Sequence, residues 1–130
     1  MVKKSKIAIK QQTKGKLPSL PFQLLKNAVL GKNFDLSIVF ATEKTSRTLN
    51  RRFRNKNRAT NILSFPLSPT SGELVIHAPT IKIEAPRFGR SYKKFLGLLI
   101  IHGMLHLKGM QHSSKMESKE KSISTRFGFN

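Results

Sequence analysis

The segment from Ser91 to His112 constrains this chain more than any other stretch. Phe95, Leu96, Leu98, Leu99, Ile100 and Ile101 are apolar nearly all round a helical wheel, which predicts a buried helix. Such a helix belongs at the centre of a fold, and a buried scaffold fixes the rotamers of whatever polar side chains it carries. It runs into His102-Gly-Met-Leu-His106-Leu-Lys-Gly109-Met-Gln-His112, which holds three of the four histidines. Residues four apart stand on one helical face, so His102 and His106 can offer two imidazoles to one ion. Gly109 tolerates the positive φ that ends a helix and turns the chain back, bringing His112 to the same point. Three neutral nitrogens with a fourth position left for water suit a catalytic zinc, whereas structural zinc sites are closed and rich in cysteine. The chain has no cysteine. A histidine pair alone can equally be a hydrogen-bonded part of the core. Adding Gly109 and His112 turns the reading toward one transition metal per chain, zinc, held by His102, His106 and His112.

The spacing H-x-x-x-H-x-x-G-x-x-H also occurs in metzincin-type metallopeptidases, which place a general-base Glu directly after the first histidine. Here that residue is Gly103. Without the carboxylate, peptide hydrolysis by that route loses its proton acceptor, and a metallopeptidase is disfavoured.

A chain of 130 residues holds one core, so residues 1–130 are read as a single domain. Twenty-five Lys and Arg against 6 Asp and Glu give a formal charge of +19. That balance favours a polyanionic partner, nucleic acid ahead of membrane, over a surface that is basic only for solubility. The absence of cysteine suits a reducing compartment. Phe95 to Ile101, the longest apolar run, is far below a membrane span, and no signal-peptide core follows the N-terminal lysines, so a cytoplasmic protein is expected.

Along the chain, Met1 to Lys16 is lysine-rich and surrounds an alternating strand, Lys6 to Lys10. Phe22, Leu25, Ala28 and Val29 define a first helix that stops at Gly31. Phe34 to Phe40 alternates as a half-buried strand. Thr42 caps a helix from Glu43 to about Phe53, with Leu49 and Phe53 as its apolar seam. Arg47, Arg51 and Arg54 share another face, and Lys56 and Arg58 continue the charge into the loop; these are candidate phosphate contacts, or else a solvated cationic face. Thr60 to Phe65 reads as a strand stopped by Pro66, and after a turn Glu73 to His77 completes a hairpin. His77 is assigned to a strand end or the surface. Pro79 opens a short helix that Pro86 and Gly89 end, Ser114 and Glu117 form a capping box for a last helix, and Phe127 and Phe129 are apolar anchors.

Leu49-Asn50-x-x-Phe53-Arg54-x-Lys56, Thr60-Asn-Ile-Leu-Ser-Phe-Pro66, Gly72-Glu-Leu-Val-Ile76, the histidine motif and Met116-Glu-x-x-Glu120 together resemble the YbeY family. The resemblance runs from about Asn33 to Glu120. It implies an α+β domain, a small mixed sheet packed with several helices, with zinc on a buried helix and the loop after it, and Arg54 as a catalytic group lining the cleft. It further implies a metal-dependent endoribonuclease acting on single-stranded RNA in maturation of small-subunit ribosomal RNA, a partner of that subunit and a monomer. The alternative is a non-catalytic rRNA-binding assembly factor with a structural metal, in which Arg47, Arg51, Lys56 and Arg58 grip RNA. The chain departs from the family's usual Tyr-Asp before the third histidine, where it has Met110-Gln111. A carboxylate that could support a ligand is missing there.

Overall fold

The computed structural model describes residues 7–56 and 60–130. Lys3, Lys4 and Lys6 and the candidate RNA contact Arg58 lie outside the described residues. The elements follow as β1 (Ile7–Gln11), α1 (Phe22–Val29), β2 (Asp35–Phe40), α2 (Glu43–Arg54), β3 (Ile62–Ser68), β4 (Ser71–Ile76), α3 (Ala78–Glu84), a 3-10 turn (Ala85–Phe88), α4 (Tyr92–Leu107) and α5 (Ser114–Phe127). Four strands form one mixed sheet in the order β1-β2-β4-β3, with β1, β2 and β4 parallel and β3 antiparallel to β4. This is the expected α+β architecture.

Strand periodicity sorts the core into two layers. Leu36, Ile38 and Phe40 of β2, with Leu74 and Ile76 of β4, face the larger core that α1, α3, α4 and α5 complete. Val39, Ala41, Leu63 and Val75 turn the other way into a smaller cluster that Leu49 of α2 covers. Helix α4 buries Phe95, Leu96, Ile100, Ile101, Met104 and Leu105 and crosses the sheet over β3 and β4. At Gly103 the approach is so close that a Cβ would lie 2.9 Å from Leu74 Cδ2 and 3.0 Å from Ser64 Oγ.

The structure differs from the sequence reading at four places. Pro66 does not stop β3, which continues to Ser68 with a bulge after Pro66. β3 is the edge strand, where a residue without an N–H is tolerated. In α1 it is Lys26, not Ala28, that is buried: Nζ donates to Phe34 O at 2.8 Å and Lys32 O at 3.2 Å, while Ala28 is exposed. Burial pushes the Lys26 pKa down, with the Asp35 charge opposing it in part. Phe53 leaves the expected seam of α2 and is exposed, the buried positions being Ser46 and Asn50. Finally, Ser113 rather than Ser114 caps α5, its Oγ accepting from Met116 N at 3.2 Å, because Ser113 holds the extended conformation that frees its side chain to fold back. Glu117 then lies in the first turn of α5, favourably placed toward the helix dipole.

Candidate metal centre

Helix α4 delivers His102 and His106 on its last turns and then closes through the turn that Gly109 permits. Gly109 adopts φ +95°, its N–H donates to His106 O at 2.9 Å, and Met110 N donates to Leu105 O at 3.1 Å. The chain reverses and brings His112 back over the helix end. Ring centroids lie 4.6 Å apart for His102 and His106, 4.8 Å for His106 and His112, and 5.0 Å for His102 and His112. One nitrogen of each lies within 4.8 Å of the others, so the three could hold a single ion.

The outer nitrogens show which tautomers are present. His106 Nδ1 donates to the Met110 carbonyl at 3.0 Å, and His102 Nδ1 donates to Glu120 Oε2 at 3.2 Å. Since a carbonyl and a carboxylate only accept, both Nδ1 atoms carry the proton, and in the neutral form of each ring Nε2 presents a lone pair inward. Those two Nε2 atoms stand 3.0 Å apart. Two facing lone pairs repel unless a cation lies between them, and neutral imidazoles held by outer partners are the donors zinc takes. Tetrahedral coordination at zinc–nitrogen lengths of roughly 2.0–2.1 Å would set each pair about 3.3 Å apart, so that His102 and His106 would open slightly while the nitrogens now up to 4.8 Å apart would draw inward. The residues present therefore fit the metal. Burial lowers the His106 pKa, and the neighbouring His102 lowers it further against the raising effect of the Met110 carbonyl, so His106 stays neutral and able to ligate.

The histidines form one wall of a cleft of about 610 Å³, which Phe53, Arg54, Asn61, Ile62, Ser64, Phe65, Leu99 and Gly103 also line. Among the described residues, no carboxylate lines it. A second cavity of about 510 Å³ lies on the α5 side of His102, where Glu117, Glu120, Lys121 and Arg90 enclose an apolar floor from Phe95, Leu98 and Leu99. His102 thus separates the two spaces.

Of the cationic residues singled out from sequence, Arg54 lines the metal cleft. Arg47 and Arg51 border a separate depression earlier on α2, and Arg47 pairs with Glu43 at 2.6 Å. Lys56 is exposed just beyond Asn55, which ends α2 in a left-handed conformation. The fourth histidine, His77, is away from the cluster: it precedes α3, is buried, and its Nδ1 meets Thr80 Oγ1 at 2.6 Å.

Sequence reasoning named Glu120 only within the resemblance and gave it no role, yet its carboxylate meets His102. A signal was present: Met116, Glu120 and Ile123 recur at i, i+4 and i+7 on α5, so a carboxylate stands on a seam whose other members are buried. Gln111 is exposed, and the residue before it contributes through its backbone carbonyl. The cleft-lining roles of Asn61, Ser64 and Leu99 also depend on how α4 crosses β3, which no local pattern reveals.

Comparison with known proteins agrees with this construction. A relative in Gluconobacter oxydans called Endoribonuclease YbeY is 43% identical over 93 residues, covering 69% of this chain and 55% of that protein. Another of the same name in Geobacillus thermodenitrificans is 32% identical over 130 aligned positions, covering 82% of this chain and 83% of its own length. The solution structure of TM1509 from Thermotoga maritima superposes with a TM-score of 0.67 at 26% identity, covering 94% of this chain and 89% of that one. A family model described as Endoribonuclease YbeY matches residues 2–128, and the chain belongs to that family.

Proposed function

We propose that this protein is a zinc-dependent endoribonuclease that cuts single-stranded RNA, a monomeric, cytoplasmic, single-domain factor in the maturation of small-subunit ribosomal RNA and in ribosome assembly. The observation that carries the reading is the convergence of His102, His106 and His112 in an open cleft that Arg54 also lines. A bound zinc supplies a Lewis acid toward a phosphoryl oxygen and lowers the pKa of a nearby water. The remaining work falls to the chain itself. His102 and His106 are held in one tautomer by Glu120 and the Met110 carbonyl, so their inner nitrogens need no reorientation before use. Arg54 presents a planar fork that pairs with two phosphate oxygens at once and stabilises the charge developing there. Toward β3 and β4 the space beside Gly103 is taken up by the side chains of Leu74, Ser64 and Ile62, which a general-base glutamate at that position would have to displace. That speaks against a peptidase of the metzincin type.

The charge of +19 favours RNA as the partner but would serve a binding-only assembly factor equally well. The purified protein should contain about one zinc per chain and cleave single-stranded RNA, including small-subunit precursor RNA. Chelator should abolish cleavage and zinc should restore it. Undiminished cleavage in chelator would overturn the metal's role, and tight binding without cleavage by the zinc-loaded protein would leave the assembly-factor alternative.

A further inference from the structure

Single exposed apolar side chains are ordinary on protein surfaces, and most carry no message. Phe53 differs in where it stands and in how it is held. It is 57% exposed on the last turn of α2, and its ring lines the same cleft as Arg54 and the three histidines. Phe65 of β3, which lines the cleft too, meets it edge-on with centroids 5.1 Å apart and planes at 67°. The Arg52 guanidinium lies 5.5 Å from the Phe53 centroid. The ring is therefore braced by two neighbours while more than half of the residue remains open to a ligand.

Three chemical features meet at this place: an aromatic surface, guanidinium groups at the adjacent positions 52 and 54, and a donor set for a phosphate-activating metal. Single-stranded nucleic acid is the ligand that uses all three. Its unpaired bases stack on aromatic rings, its phosphates pair with arginine, and neither depends on base identity. A second copy of this chain would bring another highly cationic surface against the arginines, which charge disfavours.

We propose that Phe53, braced by Phe65 and Arg52, is a stacking platform for a nucleobase flanking the phosphate that is cut. The proposal rests on the ribonuclease reading of this cleft and adds the subsite that selects single strands, because a base engaged in a duplex has no free face to offer. It makes the enzyme sensitive to the presence of a base at one position and tolerant of which base it is.

The test uses a labelled single-stranded oligoribonucleotide in which one abasic nucleotide is moved along the chain. Affinity is read in chelator and cleavage is read with zinc. Base–aromatic stacking of 1–3 kcal/mol corresponds to a loss of about 5- to 150-fold for Phe53→Ala in chelator. An abasic nucleotide at one position should weaken wild-type binding by a similar factor and cost the variant nothing further. Phe53→Tyr should retain affinity, whereas Phe53→Leu, which keeps apolar bulk against Phe65 without a flat ring, should lose it. Circular dichroism and zinc content establish that each variant is folded. Wild-type affinity in folded Phe53→Ala, or an abasic penalty that persists in it, overturns the platform while leaving the ribonuclease reading intact. A change in sedimentation with RNA affinity unaltered also overturns it, in favour of a second copy. Phe53-dependent binding with no cleavage in zinc would keep Phe53 as a stacking residue but sink the ribonuclease reading and with it the placement beside a cut phosphate, and a wild type that fails to bind single-stranded RNA would overturn both.

Discussion

Glu120 reaches across from α5 to fix the proton on His102. Losing such an outer partner costs about 10- to 100-fold in metal affinity. Glu120→Ala should therefore weaken zinc binding by that factor in a chelator competition, and Glu120→Gln by less, since its amide oxygen still accepts from Nδ1. Equal affinity for all three proteins would show that His102 is oriented by packing alone. At Arg54 the expected loss lies in rate. Arg54→Ala should lower RNA cleavage by about 10²–10³ with zinc content unchanged, Arg54→Lys should restore little because it lacks the fork, and Lys56→Ala should be milder. Equal small losses for Arg54→Ala and Lys56→Ala would make Arg54 part of a diffuse cationic surface. Two histidines also set an acid limit. Burial lowers the pKa of both His77 and His106 below the usual 6.5. As pH falls through 6.5 the unfolded chain takes up protons that the folded one still refuses, so stability is complete above that value and is lost toward the lower folded values. Urea midpoints of the metal-free protein should fall between pH 6.5 and the acid range, and a midpoint rising there would contradict the sign.

At the scale of elements, α4 is a scaffold whose two glycines let other parts come close. A Cβ on Gly97 would lie 2.6 Å from ring atoms of Phe129, which is buried beyond the end of α5. Gly97→Ala gains about 1 kcal/mol of helix propensity but forces the ring outward, and overpacking of this kind costs about 1–3 kcal/mol. Thermal unfolding should show net destabilisation in the wild type and stabilisation once Phe129→Ala has removed the ring; additive effects would mean the two do not meet. The cap at Thr42, the start of α4 at Ser91 and the turn at Gly109 were readable from the sequence, because each is set by residues a few positions apart. The histidine cluster was legible for the same reason. What the sequence hid is non-local. Parallel pairing of β1 with β2 and of β2 with β4 joins strands separated by helices, and Pro66 reads as a terminator until β3 is known to be an edge. Lys26 reads as a surface residue until the carbonyls of Lys32 and Phe34 are known to turn toward it. Glu120 stands 18 residues from His102, so its role appears only when α5 is packed against α4.

Across the whole molecule, charge decides how RNA is gathered before any chemistry begins. A protein of formal charge +19 releases counterions from the strand it binds, and for single strands log K falls with log salt by about 0.7 for each phosphate neutralised. Contacts from three to five cations around α2 would give a slope of about −2 to −3.5. The cations are not equivalent, however. Arg47 already has Glu43 at 2.6 Å in an exposed ion pair, whereas Arg54 faces the metal cleft. An exposed pair is weak and yields to a phosphate, but the acid partner stays beside it and offsets part of the gain. Arg51→Glu should therefore reduce the magnitude of the slope by about 0.7 and Arg47→Glu by less. Glu43→Gln should move the other way, strengthening binding at low salt by freeing Arg47 from its neighbour. Titration of one single-stranded RNA at several salt concentrations separates these cases. A slope near zero in the wild type would refute counterion release as the source of affinity, while equal effects of Arg47→Glu and Arg51→Glu would show that the Glu43 pair does not hold in solution.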